Sequence, residues 1–322
     1  MTPVVLFWYG AVVSFLVGSS IGSFLNVVIY RLPLDMSLAS PPSRCGVCET
    51  PIRFYDNIPI LSWFLLRGKC RTCKASYSFR YPAVELFVGL VAIGLWWKHA
   101  SPLLDGHQFP IWPVVALVAL RFAFFVLLIA ITAIDLEHLI IPHELTFPGM
   151  ALGLASPWIL KALFGPHYQR IWPPVSPGVS ILGWLVGGLF IILVIQLYFS
   201  VRKIQGMGGG DVTLMAMLGA WLGWPALIFI LFAASMQGLI AAGIAYLIKP
   251  NFLRNIDEVF ADEEDQDDAI RKDSESIDGE EEDGGFGMAA IPFGPFLALA
   301  GAEFMLFGHL LPQDINMLLL YL

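Results

Sequence analysis

Long apolar blocks alternate with short polar ones along the 322 residues of this chain, at about 4–30, 81–97, 109–134, 145–164, 178–200, 212–248 and 291–311. A helix needs about 20 apolar residues to cross a hydrocarbon core of roughly 30 Å, so most blocks read as one crossing each. The block 212–248 is too long for that. At about 1.5 Å per residue it would reach roughly 55 Å, nearly twice the core, so the break at Gly223-Trp224-Pro225 is expected to divide it. Eight spans result. The first block lacks the basic n-region and cleavage-site pattern of a removable signal peptide and is read as a retained first span.

Composition agrees with this pattern and sharpens it. With 57% hydrophobic and 14% charged residues, the chain is expected to be an all-α polytopic membrane protein of about eight transmembrane helices, not a soluble domain. Eight of the 18 basic residues lie between Arg31 and Arg80, in the loop after the first span. The positive-inside rule places that loop in the cytoplasm, which puts both termini outside. No nucleic-acid partner is expected. The net charge of −8 misleads, because the segment 251–285 carries 15 of the 26 acidic residues against three basic ones; without it the chain is at +4. That acidic run reads as an inserted, disordered cytoplasmic loop, either merely solvated or attracting a basic partner.

The predicted organisation is therefore a first transmembrane helix at 1–30, a cytoplasmic loop at 31–80 and transmembrane helices two to seven at 81–250. An acidic insert at 251–290 and a last transmembrane helix with an outer tail at 291–322 complete it.

Two carboxylates break the apolar pattern. Asp135 follows the uncharged run 122–134, and Asp211 follows Gly206-Met207-Gly208-Gly209-Gly210 at the start of the divided block. A charge beside the bilayer core costs roughly 2.5–3.5 kcal/mol on insertion scales, so each is a functional candidate. Following the eight crossings, both emerge on the cytoplasmic side, where the topology permits them to meet. Such a pair is suited to acid–base chemistry with a shared proton, since neighbouring carboxylates do not both ionise cheaply. The other reading of Asp211 is an N-cap, a position Asp favours. A phosphate-binding loop does not fit, because a carboxylate stands where Lys and Ser/Thr are needed. The glycines at 206, 208, 209 and 210 instead offer open backbone beside the aspartate, on which an extended peptide can dock.

Cys45-Gly46-Val47-Cys48 and Cys70-Arg71-Thr72-Cys73 hold the chain's only cysteines, with 21 residues between the two pairs. Four thiolates at this spacing make a closed tetrahedral Zn²⁺ site, structural because no coordination position stays open. Two disulfides are the alternative, disfavoured in a reducing compartment, and redox chemistry is a further one. Gly18-Ser19-Ser20-Ile21-Gly22 reads as a close helix contact. Arg121, Glu85 and Glu303 are ionisable residues within or beside spans and are candidates for buried ion pairs.

These motifs, in this order, resemble those of the type IV prepilin peptidases, the GxGD-type aspartyl enzymes of pilus and type II secretion systems. The resemblance runs nearly end to end. It includes the stretch from Gly22 to Pro33, the paired cysteines, the stretch from Phe79 to Leu86, Asp135 with Ile141-Pro142, the approach to Asp211, Ala216 to Trp221, and Ile291 to Phe296. It implies an endopeptidase of the bacterial inner membrane. Such an enzyme removes the short basic leader of prepilins or pseudopilins at the cytoplasmic face and then methylates the new N-terminus with S-adenosylmethionine. By motif match Asp135 and Asp211 are its catalytic carboxylates, and Glu85 is a candidate for the methyl-transfer half. The chain departs from the family pattern at His143, where Asp is usual, and at Thr213, where Lys is usual. Three alternatives stay open: a presenilin-like protease, for which Pro225-Ala226-Leu227 spells a signature far from Asp211, a cation transporter, and a noncatalytic assembly subunit.

Overall fold

A computed structural model describes residues 2–107, 110–202, 208–248 and 292–311. Its fold is a bundle of apolar helices with one polar excursion. Helix α1 spans Pro3–Arg31, starting on a proline at its first position and ending on a basic residue, both favourable placements. A short helix α2, Leu61–Leu65, lies in the excursion. Then come α3 (Arg80–Ala100), α4 (Ile111–His138), α5 (His143–Phe164), α6 (Pro177–Arg202), α7 (Gly209–Leu222), α8 (Trp224–Ile248) and α9 (Gly294–Phe307).

The predicted breaks fall where backbone chemistry requires them. Leu139 ends α4 in the left-handed region at φ 56°, Gly165 follows α5 at φ 60°, and Gly223 separates α7 from α8 at φ 82°. The long apolar block is thus divided as expected. Among the described residues, six of the eight apolar helices are long and apolar enough to cross a membrane. The other two, α7 and α9, have 14 residues each, about 21 Å of helix, less than the bilayer core.

Position in the bundle accounts for the short length of α7. Every residue from Leu214 to Leu222 is buried, so this helix is the centre around which α5, α6, α8 and α9 pack. Glycine lets it sit there. An added Cβ at Gly219 would overlap the Gly183 carbonyl of α6, so the two backbones touch. On the α5 side, Trp221 donates its indole N–H to the Gly149 carbonyl at 2.8 Å and tilts against Phe124 of α4 with ring centroids 5.1 Å apart. Helices α1 and α3 form a second tight pair beside α4. Its seam is the predicted glycine motif: a Cβ at Gly18 would meet Ala92 at 2.6 Å, and one at Gly22 would meet the Glu85 backbone at 2.8 Å. The acidic insert and outer tail fall outside the described residues, as does Gly206.

Candidate active site and metal centre

Asp135 sits one turn before the end of α4 and is buried, 5% exposed. Asp211 is half-buried in the first turn of α7. Asp211 is not the helix cap. Gly208 occupies that position and Asp211 is the third helical residue, its N–H bonded to the Gly208 carbonyl at 3.2 Å. The carboxylate therefore lies close to the positive end of α7 and makes no capping hydrogen bond.

Ile141 joins the two aspartates. A Cβ built on Gly210, beside Asp211, would meet the Ile141 Cβ at 2.7 Å. A Cβ on Gly294, at the start of α9, would meet Ile141 Cδ1 at 2.9 Å and overlap Asp135 Oδ2. Three chain segments thus close around one buried carboxylate oxygen, which has no hydrogen-bond partner among the described residues. Orphaned buried acceptors are uncommon and call for a functional explanation. The docking candidates fit this picture: Gly208 and Gly209 are exposed, and a Cβ on Gly209 would meet nothing within 4 Å. The open backbone ends at Gly209, and Gly210 beside Asp211 is packed on Ile141. His143 is exposed and stacks on Phe147, while the Thr213 hydroxyl donates to the Gly210 carbonyl at 2.9 Å.

The four cysteines converge at the other landmark. Their sulfurs lie within 4.8 Å of one another, with Cys45–Cys73 at 3.7 Å and Cys48–Cys70 at 3.9 Å. A tetrahedron with roughly 2.3 Å metal–sulfur bonds has edges of about 3.8 Å, so the donors fit Zn²⁺, and the separations are far from a disulfide's roughly 2.05 Å. Each knuckle is built alike. The residue after the second cysteine, Glu49 or Lys74, takes a positive φ, and its N–H bonds back to the first cysteine's carbonyl. Hydrogen bonds from the Thr50 hydroxyl and backbone pull the Cys48 thiol down to about 6, which favours the thiolate a metal needs.

Glu85 lies in the second turn of α3, 9% exposed, and its Oε2 accepts the Ile60 N–H at 2.6 Å. Ile60 is at φ 65° and ψ −55°, and the Leu61 N–H bonds to the Pro59 carbonyl at 2.6 Å, a tight γ-turn. The buried carboxylate therefore holds a strained turn of the loop. Burial, with the Glu85 charge nearby, pushes the Tyr77 hydroxyl upward.

Two expected ion pairs are absent among the described residues. Buried Arg121 bonds the Trp172 carbonyl and donates to His99 Nε2 at 3.0 Å, and Glu303 accepts from Gln237 Nε2 at 2.8 Å. Neutral partners outside the local sequence satisfy both. Sequence reasoning also missed Gly294 and Ile141 as site residues, although both sit in motifs that carry the family resemblance. It missed the Arg80–Glu137 ion pair as well, for which no local signal exists.

The fold and these donor sets define the class, an all-α polytopic membrane protein with a four-thiol metal centre and two carboxylates, one buried and one half-buried, on either side of Ile141. Two family models match: the bacterial peptidase A24 N-terminal domain over residues 16–99, and the type IV leader peptidase family over residues 122–243. A prepilin leader peptidase/N-methyltransferase of Myxococcus xanthus (strain DK1622) is 35% identical, across 96% of this chain and 95% of its own. The protein of the same name from Aeromonas hydrophila is 33% identical across 91% and 89%, and that from Neisseria gonorrhoeae is 34% identical across 72% and 81%. No solved structure matches the chain. The chain belongs to the type IV leader peptidase family.

Proposed function

We propose that this protein cleaves the short basic leader from type IV prepilins or pseudopilins, with Asp135 and Asp211 as its catalytic carboxylates, and that it methylates the new N-terminus. The carrying observation is geometric: the buried Oδ2 of Asp135 is enclosed by Gly294 and Ile141, and Ile141 also packs on Gly210, the residue before Asp211. Gly208, Gly209 and Gly210 would bind the substrate backbone, with Gly206 continuing the strip.

The chemistry needs one proton held between two carboxylates. The ionised member takes a proton from water as oxygen bonds to the scissile carbonyl carbon. The protonated member gives its proton to the developing oxyanion. Collapse breaks the C–N bond: the carboxyl that received the water's proton passes it to the departing amine, and the other carboxylate takes back a hydroxyl proton from the intermediate, which restores the pair with its single shared proton.

The site lies at the end of α4, and on this reading that end faces the cytoplasm of a bacterial inner membrane, where the basic loop also lies. Residues 31–80 then form the zinc loop, 81–250 carry the peptidase site, 251–290 are an acidic insert and 291–322 the last helix and outer tail. Substrates would come from a type IV pilus or a type II secretion system. The four cysteines fit Zn²⁺, which would supply folding of the loop. S-adenosylmethionine is the methyl donor implied by the relatives' printed name, and Glu85 would serve methyl transfer by positioning the loop.

In a reconstituted cleavage assay Asp135→Asn and Asp211→Asn should each abolish processing while the protein still inserts. Full processing by either variant would sink the catalytic assignment. Glu85→Ala should reduce methylation and spare cleavage, with Glu85→Gln, which keeps an acceptor for Ile60, restoring it; equal methylation by all three forms would remove Glu85 from that half.

A further inference from the structure

We infer that α2 is an interfacial anchor, which inserts Leu61, Phe64 and Leu65 into the nearer leaflet of the bilayer and sets the zinc loop on an anionic lipid surface. The three side chains occupy positions i, i+3 and i+4, one face of the helix, and are 60%, 58% and 78% exposed. The opposite face is committed to the protein. Ser62 is buried, and Trp63 donates to the Tyr77 carbonyl at 3.4 Å and packs edge-on against Phe79 with centroids 5.2 Å apart. So large an apolar face on so short a helix calls for a partner.

Depth identifies that partner. Both ends of the loop are tied to spanning helices, at Arg31 and Arg80. Glu85 lies five residues inside α3, roughly 7 Å from its start along the helix axis. Because Glu85 accepts the Ile60 N–H, the residue immediately before α2 is held at that level and not out in solvent. The γ-turn at Ile60 then starts α2 at this level. Charge is complementary to anionic headgroups. Residues 31–80 carry eight basic and three acidic side chains, and Arg67 and Lys69, directly after α2, are exposed and form no ion pair among the described residues. An apolar face with basic residues at its edge is the pattern of helices that lie in the headgroup region.

The test uses the full chain in nanodiscs with and without phosphatidylglycerol, carrying the photoreactive residue p-benzoylphenylalanine in place of Phe64, or in place of Val47 in the first cysteine knuckle as a reference. Irradiation should give phospholipid adducts at position 64 several-fold above position 47, rising with the anionic lipid share. Equal lipid adducts at both positions would overturn the inference. So would preferential crosslinking to added prepilin, which would make this face a substrate site. Because the readout is an adduct, it stands whether or not the catalytic reading holds. A Phe64→Asp, Leu65→Asp double variant that retains zinc should lose the dependence of thermal stability on phosphatidylglycerol; an unchanged dependence would also overturn it.

Discussion

At position 294 nothing larger than hydrogen fits. The would-be Cβ overlaps Asp135 Oδ2 and lies 2.9 Å from Ile141 Cδ1, so Gly294→Ala forces either the carboxylate or the isoleucine to move. Overpacking of this kind costs about 1–3 kcal/mol of stability. Displacing a reacting group by about 1 Å costs about 10²-fold in rate, which is the larger relative effect. Gly294→Ala should therefore lower kcat for prepilin cleavage by about 10²-fold in detergent while melting only a few degrees early. Cleavage at the parent rate would show that Asp135 tolerates the shift and that the close approach has no catalytic role. The aspartates were legible in the sequence because a carboxylate beside an apolar run needs a reason. Gly294 and Ile141 were not, because their roles come from contacts that bring residues 135, 141, 210 and 294 together, and no local pattern encodes such contacts.

At the scale of elements, the cysteine loop shows which parts of a site spacing can encode. Two CxxC pairs predict a four-thiol centre because each knuckle is a local turn, and both knuckles close by the same hydrogen bonds. The γ-turn at Ile60 was not legible, since a positive φ at isoleucine is held only by Glu85 from another element. Metal binding to the knuckles should depend on pH with a sign fixed by the thiols. A thiol must lose its proton to bind, so affinity weakens as pH falls. With the Cys48 thiol at about 6, that residue is already largely thiolate at pH 7. Zinc binding at pH 7 should then release fewer than four protons per ion, and more below pH 6, where Cys48 must also deprotonate. Calorimetry in buffers of different ionisation enthalpy counts these protons. Release of four at pH 7 would show that Thr50 does not hold Cys48 as thiolate, and Thr50→Val should move the count towards four.

Across the whole molecule, the seven apolar blocks, one of them divided, foretold the helices, but the pairing of α1 with α3 and the central place of α7 depend on glycine contacts between segments. Arg121 likewise looked like half of an ion pair, and its partners turned out to be His99 and the Trp172 carbonyl. The one ion pair joining the loop-bearing α3 to the aspartate-bearing α4 is Arg80 with Glu137, two residues past Asp135. Both side chains are partly exposed, 43% and 38%, and exposed pairs are worth about 0–1 kcal/mol, so the pair adds little to stability. Its place gives it a different use. It fixes the end of α4 against the start of α3, and with it the turn that carries Asp135. Arg80→Glu sets two acids against each other at this junction and should slow cleavage severalfold with little change in melting temperature. Glu137→Arg should act in the same direction through two bases. The double exchange restores opposite charges and should recover most of the lost rate, a coupling that a double-mutant cycle on kcat measures directly. If the double variant is as slow as the product of the singles predicts, the two helices are not coupled through this pair, and α4 is positioned by its packing against the neighbouring helices.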